Sequence, residues 1–201
     1  MKHSSLIILS LCIFLAAMLS SCSLFGLSYA YSYHNEPGED FRKLNYDAYE
    51  FIKQHSTGEF ALMYEAINRA GMESYYHDSV YTFFIHKDVV WDKFLSDYHY
   101  SSISEVPVQT LRNYLLRSII PGKYLSSDIS APIFVQTLDP NVTMRLYKTI
   151  VAATSSQNLN ALRAGWTNAN GKINQVGCTT SNLECTNGVI HVMGARFTFM
   201  S

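Results

Sequence analysis

From Tyr46 to Gly122 the apolar residues of this chain mostly recur every three or four positions, and from Ala131 onward mostly every two. That switch of period constrains the fold more than any other feature. Spacing of i, i+3, i+4 and i+7 paints one stripe along a helix, whereas alternation paints one face of a strand. In "STGEFALMYEAINRAG", Phe60, Met63, Tyr64 and Ile67 fall on one helical stripe. Ser56 with Glu59 reads as a capping box that opens this helix, and Gly71 closes it. "YDAYEFIKQ" before it predicts a shorter helix. Asp88 reads as the cap of a further helix carrying Trp91, Phe94, Leu95 and Tyr98. Another starts near Pro107, presents Leu111, Tyr114 and Leu115, and stops at Pro121-Gly122.

Strand signals interrupt and then replace the helices. "SVYTFFI", Ser79 to Ile85, is β-branched and aromatic, and so are "APIFVQTL" and "VTMRLYKTIVAA", with a turn at Pro140-Asn141. "ATSSQNLNALRAGWTNANGK" reads as a long loop or hairpin excursion, and "KINQVG" as a short strand. In the last run, Ile190 and Val192 share one face, with Val189, His191 and Met193 on the other. Helices first and most strands later predict an α+β domain, its helices packed on an antiparallel-rich sheet.

The first residues read as a targeting signal. Lys2 precedes the apolar run Leu6 to Leu19, which is too short to span a bilayer comfortably and ends in "LSSC". This resembles a bacterial lipoprotein signal, in which residues 1–21 are removed and Cys22 receives acyl chains of the palmitate type. Ser23 after the cysteine favours the outer membrane by the same resemblance, with the leaflet left open. Residues 22–45 read as a tether and residues 46–201 as the domain.

Export leaves Cys178 and Cys185 as a pair, expected to form a disulfide across "TTSNLE". Half of a zinc site is the rival reading, but two cysteines do not fill a tetrahedral shell. A net charge of -1 suggests no nucleic-acid partner.

"YTFFIHKDVVWDKFL" and the distant "NGVIHVM" together resemble the two end motifs of fasciclin-type domains. Thr82, Phe83 and Phe84 match the first motif, with Ile85 and His86 replacing its usual Ala-Pro. Asn187, Gly188, Ile190, His191 and Val192 match the second in full. "LRNYLLRSIIPGKYLSSDI" resembles the central helix and the strand and turn after it. The resemblance implies a single fasciclin-like α+β domain with a wedge-shaped sheet. The family's central helix commonly ends in a Tyr-His pair linked in animal proteins to integrin binding. Arg117 and Ser118 stand there, so that ligand is not implied.

Candidate chemistry is sparse. His191 reads as catalytic base, metal ligand or brace, and the resemblance implies the brace. The sequence shows no nucleophile elbow, no His-Glu-x-x-His and no phosphate loop. His77 and His86 flank the first strand beside Asp78 and Asp88, and His with carboxylate suits a zinc site. Adjacent strand residues point to opposite faces, however, so these read as polar strand ends and a helix cap. Seven early tyrosines (Tyr46, Tyr49, Tyr75, Tyr76, Tyr81, Tyr98 and Tyr100) read as core edge or as an adhesive patch. "DSV", Asp78 to Val80, weakly resembles an O-glycosylation signal.

The expectation is therefore a lipid-anchored, non-catalytic adhesion module of a bacterial cell envelope, with no cofactor and no metal. Its partner is an envelope or extracellular protein or a surface glycan. An accessory subunit of an outer-membrane glycan or nutrient uptake complex is the alternative, and a hydrolase with an unrecognised site a distant third.

Overall fold

Two strands that are apolar on both faces organise the molecule. In the computed structural model, which describes residues 42–149, 161–167 and 173–195, β1 (Tyr81–His86) and β7 (Gly188–Met193) run side by side in parallel. Phe83, Ile85, Ile190 and Val192 point into a helical layer, and Phe84 and Met193 point the other way. Strands buried on both sides belong in the centre of a sheet.

The helical layer consists of α1 (Ala48–Gln54), α2 (Ala61–Ala70), α3 (Glu73–His77), α4 (Asp88–Asp97) and α5 (Val108–Leu116). Its core holds Met63, Ile67, Trp91, Phe94, Leu111 and Leu115, as the stripes predict. Burying each such side chain stabilises by roughly 1.5–3 kcal/mol. Gly71 takes the left-handed conformation that ends α2.

The remaining strands are β2 (Ile119–Pro121), β3 (Ile133–Gln136), β4 (Thr143–Thr149), β5 (Ala161–Thr167) and β6 (Ile173–Cys185). The order is β2-β1-β7-β6-β5-β4-β3, and every neighbouring pair except β1–β7 is antiparallel. The Leu138 N–H donates to Ile119 O at 2.9 Å, so the two ends of the sheet meet and close a wedge. Phe84, Ile120, Val135, Met144, Leu146 and Trp166 fill its interior as a second core. Among the described residues, no helix is long and apolar enough to cross a membrane.

Three sequence expectations change. The Ser56–Glu59 capping box does not form; α2 starts at Ala61 and has no cap from its own N-cap residue. Asp88, expected to cap α4, lies inside that helix. Its carboxylate instead accepts from the N–H groups of Ala61 and Leu62, at 3.2 and 2.9 Å, and caps α2 from across the layer. The helix after Pro107 ends at Leu116 and not at Pro121-Gly122. β2 is the strand that the resemblance places after it, and the excursion before residue 172 takes its hairpin alternative as β5.

The expected disulfide is absent as well: Cys178 and Cys185 are free thiols. "TTSNLE" is not a loop but part of β6. Cys178 pairs with Met193 and Cys185 with Gly188, at opposite ends of β7. Five residues of strand separate such positions by roughly 16 Å, beyond the ~7 Å that a disulfide can bridge between Cα atoms.

Arg42 and Leu44, assigned to the tether, bond to Glu184 on β6. The signal peptide, Cys22 and the tether up to residue 41 lie outside the described residues.

Candidate functional site

The Asn-Gly pair after β6 does more than turn the chain. Thr186 and Asn187 form the hairpin loop, and Gly188 is the first residue of β7, with φ +143°. Asn187 is buried. Its Oδ1 accepts from Ala48 N–H at 2.9 Å, and its Nδ2 donates to Tyr76 O and His77 O at 2.7 and 3.3 Å. One amide thus fixes the start of α1 and the end of α3 to the sheet.

His191 is fully buried, and its ring stacks on Phe84 with centroids 5.3 Å apart. Its Nδ1 accepts from the backbone N–H of Asn182 at 3.3 Å, so the ring proton sits on Nε2, which donates to Tyr124 O at 3.0 Å. Asn182 lies at a register shift of β6 in the left-handed conformation that asparagine tolerates. Its side chain bonds Ser126 N–H at 2.8 Å and Ser126 Oγ at 2.7 Å.

Thr82 grips the same segment from β1. Its hydroxyl donates to Gly122 O at 2.8 Å and accepts from Tyr124 N–H at 2.9 Å. The two sequence motifs therefore meet at one place, the turn that follows β2. Sequence reasoning missed Asn182, Ser126 and the Tyr124 carbonyl. For the first, the available signal was an asparagine in the polar "TTSNLE" stretch, a residue type that tolerates the left-handed conformation.

The chemistry of these groups is quiet. Burial pushes the His191 imidazole down to about 4 and the His86 imidazole, packed against Tyr114, down to about 3. Both are neutral near pH 7, and neither ring nitrogen of His191 touches a hydroxyl, thiol or carboxylate among the described residues. Burial raises the thiols of Cys178 and Cys185 to about 12 and about 11, so neither supplies a thiolate.

These shifts set a pH dependence. The unfolded histidines take up protons near 6.5, whereas the folded ones resist until about 4 and about 3. The stability they contribute is complete above pH 6.5 and falls as pH drops toward 4. His191 alone accounts for about 3 kcal/mol. Urea unfolding at pH 7.5, 5.5 and 4.5 is expected to show a falling midpoint. A midpoint that stays level would remove the buried neutral imidazoles from this account.

The other candidates are also occupied. His77 pairs with Asp47, not with Asp78, at 2.8 Å, while Asp47 also caps α1 through Glu50 N–H. Tyr49 and Tyr76 are buried, and Tyr46, Tyr75, Tyr81, Tyr98 and Tyr100 pack against the helical core, which makes these rings core edge. Arg117 binds Asp139 at 2.7 Å, and buried Ser118 donates to Tyr114 O. Burial raises the Asp139 carboxyl, but the Arg117 guanidinium and the Asn141 N–H outweigh it and hold the group below its ordinary value. No three of His, Cys, Asp and Glu cluster as metal ligands among the described residues. A groove of about 470 Å³ opens between α4 and β5–β6, and Lys93 and Asp97 on its lining pair with each other.

The family model of the fasciclin domain matches residues 58–195. The chain belongs to the fasciclin family. No curated protein sequence matches it. Among solved structures, the fasciclin domain is similar to a FAS1 domain pair from the insect cell adhesion molecule fasciclin I, at 17% identity and a TM-score of 0.53. The match covers 73% of this chain and 49% of that one, so the chain spans about half of the insect structure. The fasciclin motif residues Thr82, Phe84, Asn187, Gly188, Ile190 and His191 all lie in the sheet or its corner, directed into the protein.

Proposed function

We propose that this fasciclin protein is a binding or adhesion module of a bacterial cell envelope, held at the membrane by lipid on Cys22 and free of catalysis. One observation carries the reading: the motif's polar side chains are consumed internally. His191, Thr82 and Asn187 spend their hydrogen bonds on backbone groups, which leaves recognition to the exterior. The similar insect structure belongs to a cell adhesion molecule, which agrees with this use of the fold. The partner is an envelope or extracellular protein or a surface glycan.

The anchor has its own test. A fatty-acid analogue fed to expressing bacteria is expected to label the wild-type chain and spare Cys22→Ala. Two buried acyl chains hold a protein firmly where one does not, so Cys22→Ala should also leave the membrane fraction. Equal labelling of the two proteins would remove the anchor. Pull-down of the lipidated chain from intact envelopes is expected to retain a partner, and a broad hydrolase-substrate screen to show no turnover. Turnover, or an empty pull-down, would overturn the module reading.

A further inference from the structure

Charge is divided along this chain. From Asn141 to Ser201 there are five Lys or Arg residues and a single acid, Glu184, whereas the chain as a whole is at -1. Glu184 is already paired with Lys123. The basic stretch builds β4 to β7, and the acids lie mainly in the helical half.

The outward face of β3 to β6 carries part of this charge on half-buried side chains, and the Nε of Arg163 is buried without a hydrogen-bond partner among the described residues. Met144, Leu146, Leu162 and Ala164 face the wedge interior, so Arg145, Tyr147 and Arg163 face out. Phe134 sits opposite Arg145 and is 67% exposed, an unusual position for a phenylalanine. The Arg145 guanidinium lies 4.5 Å from the centroid of the Tyr147 ring, and the Tyr147 hydroxyl donates to Gln175 on β6. That stacking holds the cation in place before any ligand arrives. Neither arginine forms an ion pair among the described residues, and no carboxylate stands on the outward positions of these strands.

Gly177 completes the face. It pairs with Arg163 across β5–β6, and a Cβ added there would meet nothing within 4 Å among the described residues. Its φ is not positive, so the fold does not demand glycine here. Glycine inside a strand marks a bulge, such as the shift that starts at Cys178 next to it, or a place where something approaches the backbone, as Gly194 does from one side.

We propose that this face binds an acidic polysaccharide, a chain of uronic acid units, with Arg145 and Arg163 taking the carboxylates and the Phe134 and Tyr147 rings flanking the sugars over the bare backbone at Gly177. A guanidinium matches a carboxylate with two parallel hydrogen bonds, and rings offer flat contact area to sugar faces. A protein partner would need an apolar centre, and Phe134 is the one large exposed apolar residue on this face among those described. Nucleic acid would need more cations, because its affinity rests on the number of phosphates neutralised.

This inference rests on the binding-module reading and narrows its partner. The test uses the full-length protein in detergent with polygalacturonate as probe. Methyl-esterified polygalacturonate and single-stranded DNA serve as comparisons. Wild type is expected to bind the free polymer, to weaken as salt screens the carboxylates, and to ignore the ester. Combined Arg145→Ala and Arg163→Ala should weaken binding about tenfold or more. Gly177→Thr should weaken it similarly while leaving the thermal midpoint unchanged or higher, since a β-branched residue suits an open strand position.

No binding by wild type, equal binding of the ester, tighter binding of DNA, or full binding by well-folded Gly177→Thr would each overturn the proposal. If polygalacturonate fails while the lipidated chain still retains a partner from envelopes, only the sugar assignment falls. An empty pull-down takes the module reading with it.

Discussion

Replacing Gly188 with alanine is expected to leave little or no folded protein. A Cβ at that position would lie 1.9 Å from the carbonyl oxygen of Tyr81, 2.9 Å from its carbonyl carbon and 3.0 Å from its nitrogen. All three are backbone atoms, so no rotamer change relieves the contact. The backbone itself, at φ +143°, is one that side-chain-bearing residues rarely adopt. Tyr81 and Gly188 form the first pair of the parallel β1–β7 ladder, and Tyr81 N–H also donates to Asn187 O. Relief therefore means separating the two central strands, and both hydrophobic cores rest on them. The cost is expected to exceed about 4 kcal/mol, a large part of the 5–15 kcal/mol typical of a domain. Circular dichroism and urea unfolding read it directly. Gly177→Ala is the matched control, expected to change stability by about 1 kcal/mol at most because its space is open. A Gly188→Ala protein that unfolds at the wild-type midpoint would show that β1 and β7 do not approach this closely.

The parts of this architecture that were legible in the sequence are those governed by local periodicity. The stripe of Met63 and Ile67, the ending at Gly71 and the two-faced run Ile190 to Met193 each report their own burial. The parts that were not legible depend on residues distant in sequence. Ser56 and Glu59 have the spacing of a capping box, yet Glu59 pairs with Lys87 and the α2 amides find Asp88. A carboxylate already aimed by another helix outcompetes a local serine. Polar "TTSNLE" has loop composition but belongs to β6, because its neighbour β7 supplies a partner along the register shifts. That same extension moved the two cysteines to opposite ends of a strand. At the candidate site, His191 and Thr82 were legible as motif residues, but the turn they jointly hold was not. Nothing in a linear pattern says that residues so far apart in the chain grip one carbonyl-rich segment.

The His191→Ala variant tests that grip and should lose about 3–5 kcal/mol. Part of the loss is the buried ring volume, including the face stacked on Phe84. The rest comes from two backbone groups left inside the protein without partners, Tyr124 C=O and Asn182 N–H. The damage should be local before it is global. Amide exchange is expected to quicken across residues 122–128 and around Asn182, since Ser126 and Asn182 hold each other only while β6 keeps its shifted register. Thr82→Val removes the other hand on the same turn. If both side chains brace one segment, the double variant should cost less than the two single losses added, because a turn already released cannot be released again. Simple additivity would mean that the two motifs act separately. A His191→Ala protein with wild-type stability that no longer retains its partner would be more serious. It would place the imidazole at the recognition surface and end the division between an internal brace and an external binding face.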